Sequence, residues 1–277
     1  MPIIAITREM GSLGKDVARG LGETLGLPLI YHEVADHLAD RMRLRKSHVV
    51  RLLEGKAGLL EKMTADKTSL AIFSADEIFE LAMKGEGAIV RGWGATHLLR
   101  DVPHVVCVRV CAPLPLRKRR MMERLDCDDE QAVAVEIRCN DEAHTAIMRR
   151  HFDVQWTDPE NYDVVFNTER VNIGECIDEV VRLAKSPAFV ETAKSRKQLE
   201  DLALAARVRA ALRKSISTRD TKVSVKADSG RVSVRGELAT DMLLAVAEIV
   251  SEVPGVRDFE FKSQGVSGAK ASLAKPN

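Results

Sequence analysis

Residues 3–16 read IIAITREMGSLGKD, an apolar run that enters a loop with two glycines and then opens a helix. A short β-branched run bounded by turn residues is typical of a buried strand. Beyond the loop, Val17, Leu21 and Leu25 recur at helical spacing, which predicts an amphipathic helix. The amides of such a loop and of the first helical turn converge where the helix dipole favours an anion. The stretch therefore predicts a strand, a phosphate-binding loop and a helix, which together begin an α/β domain.

The loop matches the P-loop pattern in part. Gly14 and Lys15 end it as expected, whereas Glu9 stands at the position of the first glycine and Asp16 at that of the Ser or Thr that holds Mg²⁺. Residues 11–15 would cradle the phosphates, with the ammonium of Lys15 as an added point charge. An ordinary turn between a strand and a helix is an equally good interpretation of the loop taken alone.

Asp16 calls for a comparison of magnitudes. An acid in the first helical turn stabilises the helix by about 0.3–1 kcal/mol. At about 4 Å from a phosphate charge the same acid would cost about 4 kcal/mol, if the effective dielectric constant is about 20. Because the repulsion is larger, Asp16 either helps to hold Mg²⁺ against the phosphates or points away and leaves that role to Ser12 or water.

Length and composition describe a globular chain. The 277 residues are 45% hydrophobic and 30% charged, enough for one large domain and a small one. A net charge of +1 predicts no bulk attraction to nucleic acid or anionic membranes. No transmembrane segment or signal peptide is predicted, so we expect a cytoplasmic protein. The five cysteines contain no Cys-x-x-Cys pair, which favours reduced thiols over disulfides or a zinc site.

Two further motifs carry arginine. Arg91 follows a short buried strand and precedes Gly92-Trp93-Gly94, at the sheet edge where open parallel sheets bind ligands. It could grip a phosphate as a bidentate fork or pair with a surface acid. Residues 116–124 predict a basic helix on which Arg117 and Arg120 share one face. These two could neutralise phosphates or belong to a solvated face.

Together these residues resemble the cytidylate kinase-like family, a branch of the P-loop nucleoside monophosphate kinases. The similarity covers about residues 2–183. It rests on the ordered set ITREMGSLGK at 6–15, RGWG at 91–94, Arg117 with Arg120, WTDP at 156–159 and YDVVFNT at 162–168. The resemblance implies a P-loop kinase-type parallel sheet flanked by helices, with ATP and Mg²⁺ as cofactors. The implied reaction is transfer of the ATP γ-phosphoryl group to a nucleoside monophosphate, with CMP or dCMP expected.

Carried over by position, the resemblance also implies roles for single residues. The catalytic residues would be Lys15, Arg91, Arg117 and Arg120, with Arg91 on the acceptor monophosphate and the other two arginines at the start of a lid. The cofactor-binding residues would be Gly11, Ser12, Leu13, Gly14, Lys15 and Asp16, of which Asp16 and Ser12 would reach Mg²⁺ through the nucleotide.

One departure from the family pattern concerns the lid. The family's lid helix tends to carry Asp-x-x-Arg, whereas here Asp141 is followed by His144. A neutral imidazole stabilises a phosphate less than a guanidinium does. Lone histidines on a polar helix are usually surface groups, so we assign no metal to His144 or His151. The alternative to an active kinase is therefore a nucleotide-binding sensor or adaptor with little or no turnover.

The pattern changes in the last third of the chain. We expect a nucleotide-binding domain over residues 1–185, a linker over 186–198, a small α/β domain over 199–262 and a disordered tail over 263–277. The segments ARVRAAL at 206–212, VSVRG at 232–236 and PGVRD at 254–258 resemble a BON domain. That resemblance implies an unknown protein or lipid partner and an interaction or regulatory role for this part.

Overall fold

The computed structural model of the chain describes residues 2–53, 66–85, 87–92, 94–263 and 271–272. Its first part is built on five strands, β1 (Ile3–Arg8), β2 (Leu29–Ile30), β3 (Ala88–Arg91), β4 (Val105–Cys111) and β5 (Val164–Asn167). These strands form one parallel sheet in the order β2-β3-β1-β4-β5. The predicted parallel α/β sheet is thus confirmed, and β1 with its following loop lies at its centre.

Helices cover both faces of this sheet. They are α1 (Gly14–Leu25), α2 (His32–Met42), α3 (Lys46–Leu53), α4 (Lys67–Met83), α5 (Ala95–Leu98), α6 (Leu114–Leu125), α7 (Glu130–Phe152) and α8 (Ile173–Ala184). Helices α1 and α8 pack on one face, around Leu21 and Val180. Helices α2 and α4 pack on the other, around Leu38 and Ile78. The sequence also predicts a helical break near Gly55 and Gly58, and these two glycines and Trp93 lie outside the described residues.

The last part of the chain forms a second sheet. Its elements are α9 (Ala193–Lys214), β6 (Val223–Asp228), β7 (Arg231–Gly236), α10 (Thr240–Glu252), β8 (Asp258–Ser263) and β9 (Ala271–Ser272). The strand order is β6-β7-β8-β9, with β7 and β8 parallel and the outer pairs antiparallel. The sequence Asp228-Ser229-Gly230 predicts a hairpin turn between β6 and β7, and Ser229 and Gly230 have the positive φ angles, 53° and 86°, that a tight hairpin turn of type I′ requires. The similarity to a BON domain stays a prediction.

Two predicted boundaries differ from the structure. The stretch 186–198, predicted as a linker, contains a 3₁₀ turn at Pro187–Phe189 and the first residues of α9. In the segment 263–277, predicted as a disordered tail, Ser263 ends β8 and Ala271–Ser272 pair with β8 as β9. The remaining residues of that segment lie outside the described part of the chain.

Helix α9 belongs to both parts of the molecule. One face packs along α4 in the core of the first part, through Leu199, Ala203, Ala206 and Ala210. The opposite face packs on the second sheet and α10, through Leu204, Ala205, Val208 and Leu212. The helix therefore buries apolar side chains on two faces at once. The two parts of the chain therefore share a structural element.

Polar contacts fix both ends of α9. At its start, Thr192 and Ser195 form a capping box, and the Ser195 hydroxyl lies 2.8 Å from Nδ1 of the buried His104. At its end, Arg213 Nη2 donates to both carboxylate oxygens of Asp66, at 2.9 and 2.8 Å. Asp66 is the N-cap of α4, where its side chain accepts from the amide of Ser69. Arg213 thus ties the end of α9 to the start of α4. Within the described residues, no helix is both long and apolar enough to cross a membrane.

Candidate functional site

The loop between β1 and α1 contains two residues in the left-handed region, Gly11 at φ 80° and Leu13 at φ 64°. Turns with such residues direct successive N–H groups to one side and form concavities that bind anions. For a residue other than glycine this conformation costs about 1–2 kcal/mol. The backbone at Leu13 is therefore strained, and strain of this kind is concentrated at functional sites.

Several amides of this loop lack protein acceptors. The amide of Ser12 donates to the Glu9 carbonyl at 3.2 Å, and that of Asp16 donates to the Leu13 carbonyl at 2.9 Å. By contrast, the amides of Met10, Gly11, Leu13, Gly14 and Lys15 make no hydrogen bond with any described residue. The first amides of a helix are always left over in this way, but the loop amides add to them. Together they form a donor set suited to phosphate oxygens.

Ser12 is fully buried, and its side chain faces the interior of the loop. Its hydroxyl lies 2.8 Å from the Glu9 carbonyl and 2.9 Å from the Val110 carbonyl. The hydroxyl has only one proton to donate, so the Glu9 and Val110 carbonyls share it. In this conformation Ser12 braces the loop, and its hydroxyl is not presented to a metal ion.

Glu9 replaces the expected glycine with a buried anchor. Its carboxylate accepts from Arg109 Nη2 at 2.6 Å and from the amide of Ala112 at 3.2 Å, and it lies 3.5 Å from Arg117 Nε. Charge-assisted bonds of this kind are about twice as strong as neutral ones. Arg109 could not be recognised as a site residue from the sequence, because it lies inside a β-branched strand and belongs to no motif. The only signal was a charge in the middle of VVCVRV.

Arg117 and Arg120 lie on one face of α6, as predicted, and both reach the loop. Arg117 donates to the two carboxylate oxygens of Asp141 at 3.2 and 2.9 Å and to the Met10 carbonyl at 3.3 Å. Arg120 donates to the hydroxyl and carbonyl oxygens of Thr168 at 3.0 and 2.8 Å. Burial lowers the pKa of Arg120, and the neighbouring Arg119 adds to this. Both guanidinium groups bind protein acceptors here, so they brace the loop from α6.

The remaining predicted site residues lie around the loop. Lys15 is exposed in the first turn of α1. Its ammonium makes no hydrogen bond or ion pair with any of the described residues. Asp16 is partly exposed and accepts from Arg19 Nη2 at 3.0 Å. Arg91 is buried at the end of β3, where its guanidinium carbon lies 3.6 Å from the centre of the Tyr31 ring. The burial of Arg91 disfavours the alternative interpretation, in which it pairs with an acid at the surface.

His144 is not the surface group that the sequence suggested. Helix α7 folds back towards β1, so that His144 Nε2 lies 3.4 Å from the Thr7 hydroxyl. The imidazole packs edge-on against Trp156, with 4.3 Å between ring centres. Burial lowers the pKa of His144 to about 4, and the nearby charges of Arg8 and Arg109 add to the effect. The imidazole is therefore neutral at pH 7, at the edge of the loop.

Buried histidines make the stability of the protein depend on pH. Burial lowers the pKa of His97, His104 and His144, whereas an unfolded chain protonates histidine near a pH of about 6.5. As the pH falls through that value the unfolded state binds more protons, so the free energy of unfolding decreases. We expect a lower urea midpoint at a pH of about 5.5 than at about 7.5, a range above the usual carboxylate pKa values.

A variant separates the contribution of His144 from the others. His144→Gln should show a smaller difference between the two midpoints than the wild type, because one proton-binding group of the unfolded chain is gone. Equal midpoints at both pH values for the wild type would contradict the expectation.

Comparisons with known proteins agree with this geometry. The model of the Cytidylate kinase-like family matches residues 3–170, whereas no curated protein sequence matches the chain. An uncharacterized protein from Eubacterium ventriosum has a TM-score of 0.53 and 22% identity over 67% of this chain and 99% of that chain. A shikimate kinase from Bacteroides thetaiotaomicron has a TM-score of 0.41 and 15% identity, over 67% of this chain and 99% of that one. A gluconokinase from Sinorhizobium meliloti has a TM-score of 0.43 and 16% identity, over 66% of this chain and 94% of that one.

These findings differ in what they show. At 22% identity the Eubacterium protein shares the fold alone, and the shikimate kinase and the gluconokinase are too distant to carry an argument. The family match is different, because residues 3–170 are more than half of the 277 residues. They include the loop, Arg91, Arg117, Arg120 and the strand β5. The chain belongs to the Cytidylate kinase-like family.

Proposed function

We propose that the protein is an ATP-dependent nucleoside monophosphate kinase that phosphorylates CMP or dCMP. The observation that supports this most is the set of loop amides without protein acceptors, gathered beside Lys15 at the start of α1. Phosphoryl transfer needs little covalent chemistry from side chains, because positioning and charge neutralisation supply most of the acceleration. The proposal therefore requires no general base from this chain.

In this proposal the loop holds the phosphates of ATP. The free amides of Gly11, Leu13, Gly14 and Lys15 would donate to phosphate oxygens, and the exposed ammonium of Lys15 would follow the transferred group. Mg²⁺ would neutralise charge on the phosphates. Asp16 fits such an ion, because its carboxylate is partly exposed and hard oxygen ligands suit Mg²⁺. The Ser12 hydroxyl does not fit while it donates within the loop.

We assign the acceptor nucleotide to the edge of the sheet at the ends of β2 and β3. Arg91 would bind its monophosphate, and stacking on Tyr31 supports the orientation of the guanidinium. Arg117 and Arg120 would act mainly by holding the loop in shape, through Glu9, Asp141 and Thr168. A direct contact of either arginine with phosphate would require these bonds to open.

An assay of ADP release tests the proposal. The full chain is incubated with ATP, Mg²⁺ and each of a panel of nucleoside monophosphates, and CMP or dCMP should give the fastest ADP formation. Lys15→Ala should lower kcat/KM by about 10²–10³-fold, the usual loss when one charge-stabilising group is removed. Lys185→Ala removes an exposed lysine at the end of α8 and serves as the control, with unchanged rates expected.

The second candidate is a nucleotide-binding sensor without turnover. It is favoured by Asp16 in place of a Ser or Thr and by the neutral His144 in place of a lid arginine. In the same assay a sensor would bind ATP in calorimetry and release no ADP with any acceptor. We propose that the part of the chain after α8, with its BON-like pattern, has an interaction or regulatory role in either case. The cytosolic location expected from the sequence belongs to the same proposal.

A further inference from the structure

His144 occupies an unusual position for a neutral side chain. Asp141 connects helix α7 to the phosphate loop through Arg117. The guanidinium of Arg117 binds Asp141 and also contacts Glu9 and the Met10 carbonyl. One helical turn later, His144 reaches Thr7 at the end of β1. The imidazole therefore lies beside the end of β1, from which the loop starts, and the same helix carries the predicted lid.

Two positive charges act on His144. Arg8 on β1 and Arg109 on β4 both act on the ring, and each disfavours a proton on it. The two nearby acids are already occupied, because Glu9 is paired with Arg109 and Asp141 with Arg117. Both named charges that act on the ring are positive, and the negative charge of a bound polyphosphate would oppose them.

We propose that His144 is a phosphate-responsive lid residue, which takes up a proton when the phosphates of the nucleotide bind and then supplies the positive charge expected of an arginine at this position. The inference rests on the proposed function of the same site. Thr7 and Trp156 hold the ring in place, so the proton changes the charge without moving the side chain.

The physical reason is a change of sign in the local field. Without an anion, burial and two guanidinium groups keep the imidazole neutral. A polyphosphate carries several negative charges, and they act on the ring through the same poorly solvated surroundings. Nucleotide binding should therefore be accompanied by proton uptake near neutral pH. Binding and any turnover should weaken as the pH rises above the pKa of the nucleotide-bound state.

Histidine NMR of the full chain tests this directly. The imidazole signal of His144, assigned from its loss in His144→Gln, is titrated with pH alone, with inorganic phosphate, and with ADP and Mg²⁺. With ADP and Mg²⁺ we expect its midpoint to rise by about two pH units or more, in line with shifts produced by a close charge. The buried His104, which contacts Ser195 at the opposite end of β4, is the internal reference and should not shift.

Calorimetry in two buffers of different ionisation enthalpy adds a second measurement. At a pH of about 6.5 the wild type should take up a fraction of a proton more on binding ADP and Mg²⁺ than His144→Gln and His144→Arg, in which only the phosphates of the nucleotide exchange protons. His144→Arg should bind with little pH dependence, because its charge is permanent. His104→Gln is the control variant and should behave like the wild type.

The outcomes separate this inference from the function on which it rests. If ADP binds with measurable heat while the His144 midpoint stays near its value in the free protein, the inference is wrong and the nucleotide site stands. If neither phosphate nor ADP changes any signal or produces heat, the proposed nucleotide site fails, and the role of His144 fails with it.

Discussion

A chain cut after residue 191 is expected not to fold on its own, although the cut falls beyond the family match and beyond the predicted domain boundary at 185. The reason is helix α9, whose residues Leu199, Ala203, Ala206 and Ala210 are buried in the same core as Ile78 of α4. Loss of one buried leucine side chain alone costs about 2–5 kcal/mol. A typical domain has only about 5–15 kcal/mol of stability in total.

The measurement is expression of residues 1–191 followed by size-exclusion chromatography and urea unfolding. We expect aggregation or the absence of a cooperative transition. A cut after residue 263 keeps α9, the first sheet and all of the second sheet except the two-residue strand β9; it is the control, with near-normal unfolding expected. If residues 1–191 gave a monomer with the midpoint of the full chain, α9 would be dispensable and the sequence-based domain boundary would stand.

Single substitutions refine the same experiment. Ala206→Asp places an uncompensated charge between α9 and α4, where Ala206 is only 3% exposed, and should destabilise the full chain strongly. Leu244→Asp on α10 has the same added charge at a site that is 67% exposed, and should unfold like the wild type. Similar midpoints for the two variants would show that the contact between α9 and α4 contributes little.

Gly11→Ala should abolish most nucleotide binding while the protein stays folded. A Cβ at Gly11 would lie 2.8 Å from the Arg117 carbonyl oxygen, closer than a carbon atom can approach without a shift of the backbone. That shift would move the loop amides, which are the donors on which binding depends. We expect Kd for ADP with Mg²⁺ to rise at least about tenfold, a loss of about 1.4 kcal/mol.

Gly26→Ala is the matched control for this experiment. Gly26 has a φ of 65°, close to the 80° of Gly11, but a Cβ there would meet nothing within 4 Å. Both variants therefore suffer the left-handed penalty of about 1–2 kcal/mol in stability, and only Gly11→Ala distorts the loop. Calorimetric titration and thermal unfolding of both variants give the two quantities. Equal affinities would mean that the shape of the loop is not what binds the nucleotide.

Much of the first sheet could be predicted because its local patterns are unambiguous. The β-branched runs of β1 and β4 and the helical spacing of Val17 and Leu21 each favour one structure. Helix α9 was harder, since its contact with α4 is made largely by alanines such as Ala203 and Ala206. Alanine is too small to produce a clear apolar stripe in a sequence, so the packing of α9 on α4 could not be foreseen.

The functional site could be predicted only where its residues are close together in the sequence and form a recognisable motif. The loop glycines and Lys15 form a motif that can be read directly. Glu9 and Arg109 are separated by a hundred positions, and their ion pair is a product of the parallel register between β1 and β4. The environment of His144 depends likewise on how α7 folds back. Neither contact leaves a local trace in the sequence.

Sharing α9 between two sheets has a consequence for biosynthesis. Helix α4 leaves the ribosome long before α9, so its outer apolar face has nothing to cover it until about residue 214 has been translated. Domains usually complete folding as units during synthesis. Here the nucleotide-binding part must wait for the beginning of the next part, which makes the nascent chain dependent on chaperones for longer than its size alone would suggest.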